Sequence, residues 1–215
     1  MSDPNVAESA ARALSHLRDP ALFKWYVIPL FLVTLYIYAQ QIHARRWPVV
    51  LGGLAFWLMD WINEIWNALV FHFSGYSPVW GAPGDTAFLI LIGLNVEICL
   101  MFAVLGVTSL LLLPPDPKQK ILGVNNRVLF AVVNSILAVG IECWLNAAGA
   151  LTWEYSWWNT RAPWLIFLIG YVPFFAMAYW VHDRPTLRQQ VRVVAGLGAG
   201  VVASLVLLIP ILRWI

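Results

Sequence analysis

Charge is scarce in this sequence. Only 11% of its 215 residues are Asp, Glu, Lys or Arg, against roughly a quarter in a globular domain, which excludes an ordinary soluble fold. Cysteine is nearly absent as well. Cys99 and Cys143 both fall inside apolar runs without CxxC spacing, so they read as small buried hydrophobes and not as a disulfide or metal pair. HExxH, ExxH and clustered histidines are missing, so the pattern implies neither a metal nor a cofactor. No lysine sits in the middle of an apolar run, which disfavours a retinal attachment site, and the scattered Lys and Arg form no basic stripe for nucleic acid. The first 20 residues lack the apolar core of a signal peptide, so the first apolar run is expected to remain as a helix.

What is present is oil. Hydrophobic residues make up 61% of the chain, mean hydropathy is +0.74, and the apolar runs approach the roughly 20 residues that span a bilayer core. The expected fold is all-α, a polytopic membrane bundle of about six transmembrane helices over 24–42, 47–72, 86–113, 128–151, 164–181 and 193–212. Residues 1–23 form an N-terminal tail or interfacial helix, with Val6, Ala10, Leu14 and Leu17 at helical spacing, and 24–215 form one transmembrane domain. The first, third and fifth connections carry Arg45, Arg46, Lys118, Lys120, Arg127, Arg184, Arg188 and Arg192, while the second and fourth carry only Arg161. The positive-inside rule places those three loops in the cytoplasm, with Arg12, Arg18 and Lys24 of the tail counting against it.

The second and fourth connections, rich in Trp, Tyr, Gly and Pro, resemble each other. Glu64-x-Trp66 recurs as Glu142-x-Trp144, Tyr76-Ser77 with Trp80 as Tyr155-Ser156 with Trp158, and Leu91-Ile92-Gly93 as Leu168-Ile169-Gly170, at offsets of 78, 79 and 77. Helices two and three therefore repeat as helices four and five, in the same orientation, about an axis along the membrane normal. The copies differ chemically: Asp60 corresponds to Ala138 and Glu97 to Phe174.

Four acids fall inside the expected spans with no Lys or Arg at their depth: Asp60, Glu64, Glu97 and Glu142. An ionisable group at the bilayer centre costs about 2.5–3.5 kcal/mol on insertion scales and marks function. Asp60 and Glu64 are one helical turn apart, and Asn67 follows on the same side. In oil without a cation, a carboxyl group favours its neutral, proton-donating form. Asn63, Asn67, Asn95, Asn134 and Asn146 can complete a polar network around such groups. Trp61, Trp66 and Trp144 lie close to the acids in sequence and either pack helices or steady positive charge through their ring faces. Trp25, Trp47, Trp164, Trp180 and Trp214 read as interface anchors.

At Trp61-Ile62-Asn63-Glu64-Ile65-Trp66, with Asn95 on the next helix, the chain resembles the small integral-membrane terpene cyclases of fungal meroterpenoid pathways and their bacterial relatives. The resemblance covers roughly the first half and implies a compact helical bundle in which Glu64 is the acid that protonates an epoxide or alkene. Asn63 stands where the family has Trp, the expected helix count is six and not about seven, and the last span lacks an aspartate. Three functions follow as expectations: a membrane-embedded acid catalyst (cyclase, isomerase or hydratase) acting on an isoprenoid or similar lipid, a proton- or cation-coupled transporter, or a non-catalytic membrane subunit. For the first, Glu64 is the general acid, Glu142 or Asp60 the later proton acceptor, and Trp61, Trp66 and Trp144 the cation shelter.

Overall fold

The computed structural model describes residues 5–215. Among them a short helix α1 (Glu8–His16) precedes six longer ones: α2 (Val27–His43), α3 (Trp47–Ser74), α4 (Val96–Leu111), α5 (Asn126–Ala147), α6 (Pro163–His182) and α7 (Leu187–Ile211). Two antiparallel hairpins intervene, β1 (Leu89–Leu91) with β2 (Leu94–Asn95) and β3 (Lys120–Ile121) with β4 (Val124–Asn125). The expected all-α membrane bundle is present. By length and composition α5, α6 and α7 can each cross a membrane, and α2 and α4 are shorter apolar helices.

One expected span differs in kind. The run 86–113 forms a helix only from Val96, because its first part folds back as β1–β2 with Leu89, Leu91, Ile92 and Leu94 all buried. Hydropathy cannot distinguish such a re-entrant hairpin from helix, since both are apolar. Non-helical backbone at membrane depth is tolerated because protein covers it and the ladder satisfies its polar groups. Asn95 ends the hairpin and caps α4, its side chain accepting from the Ile98 amide at 2.8 Å. The second hairpin turns on Leu122 and Gly123, both with positive φ, and Asn125 caps α5 in the same way through the Arg127 amide.

The central helix is α3, which packs on α4, α6 and α7. Its approach to α4 is backbone to backbone: a Cβ at Gly106 would lie 2.9 Å from the Gly53 carbonyl oxygen. Small residues at a membrane helix crossing permit this, and van der Waals contact then replaces the hydrophobic drive that lipid cannot supply. Below the acids an aromatic core of Phe56, Phe102, Phe174 and Phe175 fills the bundle, with Phe56 and Phe175 rings 4.8 Å apart. In α6, Pro173 lacks the N–H that an α-helical turn needs. The preceding turn widens, so that the Val172 amide reaches back five residues to the Phe167 carbonyl and Tyr171 swings toward α5.

The two ends of the bundle differ. At one end lie the Arg and Lys of the first, third and fifth connections, where Arg127 on α5 clamps Asp183 through Nε and Nη2, both at 2.8 Å. Arg184 lies over the Trp180 ring there. At the other end α1 docks on the connections 75–88 and 148–162: the Ala7 amide donates to the Tyr76 carbonyl at 3.0 Å and Ser9 Oγ to Glu154 at 2.6 Å. Lys24 pairs with Asp85 and Arg18 donates to the main-chain oxygen of Ile215. Within the N-terminal segment 1–23, residues 8–16 are helical, and 1–4 lie outside the described residues.

Burial alone would raise the Asp183 carboxyl; the bonds from Arg127 and His182 outweigh it and hold the group below its ordinary value. A depressed folded value means that the bridge stabilises above the unfolded value of about 3.9 and is lost as pH falls through the lower folded one. Asp183→Asn is therefore expected to destabilise the detergent-solubilised protein at neutral pH by about 1 kcal/mol. Thermal melts over a pH series should show the gap to wild type closing in acid.

Candidate functional site

Asp60 and Glu64, each 3% exposed, stand one turn apart on the inner side of α3, and Glu142 of α5 faces the same cavity. Each of these acids has an oxygen that is buried and without a hydrogen-bond partner: Asp60 Oδ2, Glu64 Oε2 and Glu142 Oε2. Their other contacts are neutral. Trp80 Nε1 donates to Glu64 Oε1 at 2.8 Å and the Tyr171 hydroxyl to Glu142 Oε1 at 2.8 Å. No Lys or Arg lines the cavity. A carboxyl group held this way has one oxygen fixed as acceptor and the other available to carry a proton.

Asn67 builds the wall from behind. Fully buried, it accepts from the Val79 amide at 2.7 Å and the Trp80 amide at 3.2 Å through Oδ1, and donates to the Trp80 carbonyl at 2.8 Å through Nδ2. This clamp fixes a loop residue, Trp80, against a helix residue, Glu64. The β1–β2 turn presses in from the third side: a Cβ at Gly93 would lie 2.4 Å from Asn67 Nδ2 and 2.8 Å from Glu64 Oε2. Trp158 stacks on Trp80 with centroids 5.4 Å apart and is 2% exposed. Phe102, Tyr171 and Phe174 complete an aromatic lining. The space open to the centres of water molecules is about 50 Å³, room for a few waters.

The repeat seen in sequence meets itself here. Trp80 stacks on its counterpart Trp158, Tyr76 lies edge-on to its counterpart Tyr155 at 5.8 Å, and the matched pairs Glu64 with Glu142 and Gly93 with Gly170 line one cavity. The matched segments do not share one backbone form, since Leu91-Ile92-Gly93 lies in the β1–β2 hairpin and Leu168-Ile169-Gly170 in α6.

Of the residues singled out from sequence, Asp60, Asn63, Glu64 and Glu142 line the cavity, and Asn67 supports it. Others lie elsewhere. Glu97 binds Tyr26, Thr86 and the Ala87 amide, tying the start of α4 to the chain before the hairpin. Asn95 is the α4 cap. Asn134, eight residues or about 12 Å along α5 from Glu142, bonds the Tyr179 hydroxyl. Asn146 holds the Leu151 carbonyl at the helix end. Trp61 turns to the α7 side of α3 and packs with Leu58 and Cys99. Trp66 is 40% exposed with its ring 5.9 Å from that of Trp80, outside the cavity lining, and Trp144 is 68% exposed on the outer surface of α5. The Trp and Tyr rings that do line the cavity, Trp80, Trp158 and Tyr171, come from loops and from the widened turn of α6. Nearness in sequence misses them, whereas the matched Trp80 and Trp158 of the repeat point to two of the three.

A family model described as an uncharacterized membrane protein family matches residues 7–210, from the start of α1 into the end of α7. The chain belongs to this membrane protein family. It is 54% identical over 208 residues to an uncharacterized protein of Archaeoglobus fulgidus, covering 97% of this chain and 99% of that relative. A short uncharacterized protein of the same organism is 43% identical over 53 residues, 25% of this chain and 95% of its own length. No solved structure matches the chain. Membership in a membrane family accords with the apolar helices, and the chemistry of the site rests on the geometry above.

Because three hydrogen bonds hold Asn67 in place, it cannot yield to a new methyl group. Gly93→Ala is therefore expected to destabilise the protein by about 1–3 kcal/mol, whereas Gly84→Ala, which meets nothing within 4 Å, should melt close to wild type. Equal melting temperatures for the two variants would show that the hairpin does not bear on the acid.

Proposed function

We propose that the cavity carries out acid catalysis on an isoprenoid or similar lipid, as a cyclase, isomerase or hydratase. The observation that carries this reading is the pair Glu64 and Glu142, each offering an unpartnered, buried carboxyl oxygen to one aromatic-walled hollow. Glu64 gives its Oε2 proton to an alkene carbon while Oε1 keeps the Trp80 bond. The π bond supplies the electron pair of the new C–H bond and leaves a carbocation on the neighbouring carbon. The faces of Trp80, Trp158 and Tyr171 shelter that charge, a contact contributing about 2 kcal/mol or more when desolvated. Glu142 Oε2 or Asp60 Oδ2 then takes a proton, either from the adjacent carbon to give a rearranged or cyclised alkene, or from a water that has added to the cation. Return of that proton to Glu64 resets the site.

The resemblance to membrane terpene cyclases at Glu64 supports the same role for that residue. The aromatic core beneath the acids, with Phe56 and Phe175 fully buried, argues against a polar route through the bundle and so against ion-coupled transport. We also infer that the Arg- and Lys-rich end faces the cytoplasm, which puts the cavity in the opposite half of the bilayer.

Lipid extracts from hosts producing the wild type and Glu64→Gln, compared by mass spectrometry, test the reaction. The wild type is expected to accumulate an isoprenoid isomer or a species heavier by one water. The Gln variant should fold, retain the Trp80 contact and lose that product at least about a hundredfold, the lower bound for a positioned general acid. An unchanged product profile in Glu64→Gln would reject acid catalysis at this residue. Glu142→Gln is expected to slow the same reaction.

A further inference from the structure

The cavity is closed above and below. Toward α1, the Trp80–Trp158 stack and the paired backbones of Gly81 and Thr152, two bonds at 2.9 and 3.0 Å, form a roof on which Ala13, Ala82 and Leu151 pack. Toward the basic end, Phe102 and Phe174 form the floor. On the flank, α3 packs firmly on α6, where a Cβ at Gly52 would lie 3.0 Å from the Ala178 carbonyl oxygen. On the other flank, among the described residues, α4 and α5 barely touch.

Two cavity-lining residues lie at this gap and are also exposed on the outer surface, Met101 of α4 at 42% and Ile141 of α5 at 53%. Met101 is five residues from the start of α4 and Ile141 six from the end of α5, so each lies about 8–9 Å inside its helix end. The two are therefore at similar distances from the same end of the bundle. Each is next in sequence to a cavity-lining residue, Phe102 and Glu142 respectively. The gap between α4 and α5 thus connects the outer surface with the acids past two apolar side chains.

We propose that the substrate enters sideways from the bilayer between α4 and α5, past Met101 and Ile141, and that it is a long-chain lipid whose reacting segment reaches the acids while the rest of the chain stays in the hydrocarbon core. This rests on the acid-catalysis reading for what happens inside, though not for the route. The small resting volume fits it: a hollow with room for a few waters takes a hydrocarbon segment only when a wall moves, and the unpacked α4–α5 seam is the wall with the fewest contacts to break.

The route is tested without turnover. Protein in phosphatidylcholine vesicles is treated with dicyclohexylcarbodiimide, a lipid-soluble reagent for protonated carboxyls, or with a water-soluble carbodiimide, and adducts at Glu64 and Glu142 are quantified by peptide mass spectrometry. The lipid-soluble reagent is expected to label both acids and the water-soluble one to leave them unmodified. Met101→Trp with Ile141→Trp should slow labelling at least about tenfold, Ile141→Ala should speed it, and Val133→Trp, an exposed position about 12 Å along α5 from Ile141, should leave it unchanged. Labelling of the double Trp variant at the wild-type rate, or equal labelling by the water-soluble reagent, overturns the lateral route. The Ala variant reads the route in the opposite direction, so a poorly folding Trp pair does not decide it. Gap-dependent labelling together with unchanged lipid products in Glu64→Gln sinks the acid-catalysis reading alone; lost product together with gap-independent labelling sinks the lateral route alone.

Discussion

A carboxyl group carried into hydrocarbon without a cation beside it has few tolerable surroundings, and the arrangement around Glu64 and Glu142 answers that constraint. Each acid receives one neutral donor, the indole N–H of Trp80 or the hydroxyl of Tyr171, and keeps one buried oxygen unpaired. Much of the less regular structure serves those two bonds. The Asn67 clamp fixes the loop that brings Trp80, the β1–β2 turn fills the space beside Glu64, and Pro173 widens the turn that presents Tyr171. A salt bridge would satisfy the acids more simply and would also silence them, since a paired carboxylate has no proton to give.

The helical scaffold was legible because hydropathy reports on lipid contact directly. Six helices occur where six apolar runs stand, and the acids are conspicuous by their depth alone. The region 86–113 was not legible in the same way, because a hairpin buried in protein and a helix bathed in lipid are equally apolar. Asparagines misled for a related reason: an amide satisfies backbone groups as readily as it binds a ligand, and Asn95, Asn134 and Asn146 all hold helix ends or a neighbouring side chain. For Trp, closeness in sequence to an acid was a poor guide, since successive helical residues point in different directions and Trp144 faces outward two residues after Glu142. Matching the two halves was the better guide. Trp80 and Trp158 are far from the acids in sequence, yet the matched loop residues stack on each other at the cavity.

The cavity is enclosed unevenly. α3 packs on α4 and on α6 while α4 and α5 barely touch, and α3 brings two acids, Asp60 and Glu64, to the hollow where α5 brings Glu142.

Walls drawn from different helices of one chain need not match. With Asp60 and Glu64 on the α3 side and Glu142 on the α5 side, the enclosed space has handedness. A chain-like guest laid along it meets unlike walls, so turning the guest end for end changes which carbon lies against the donor-rich side.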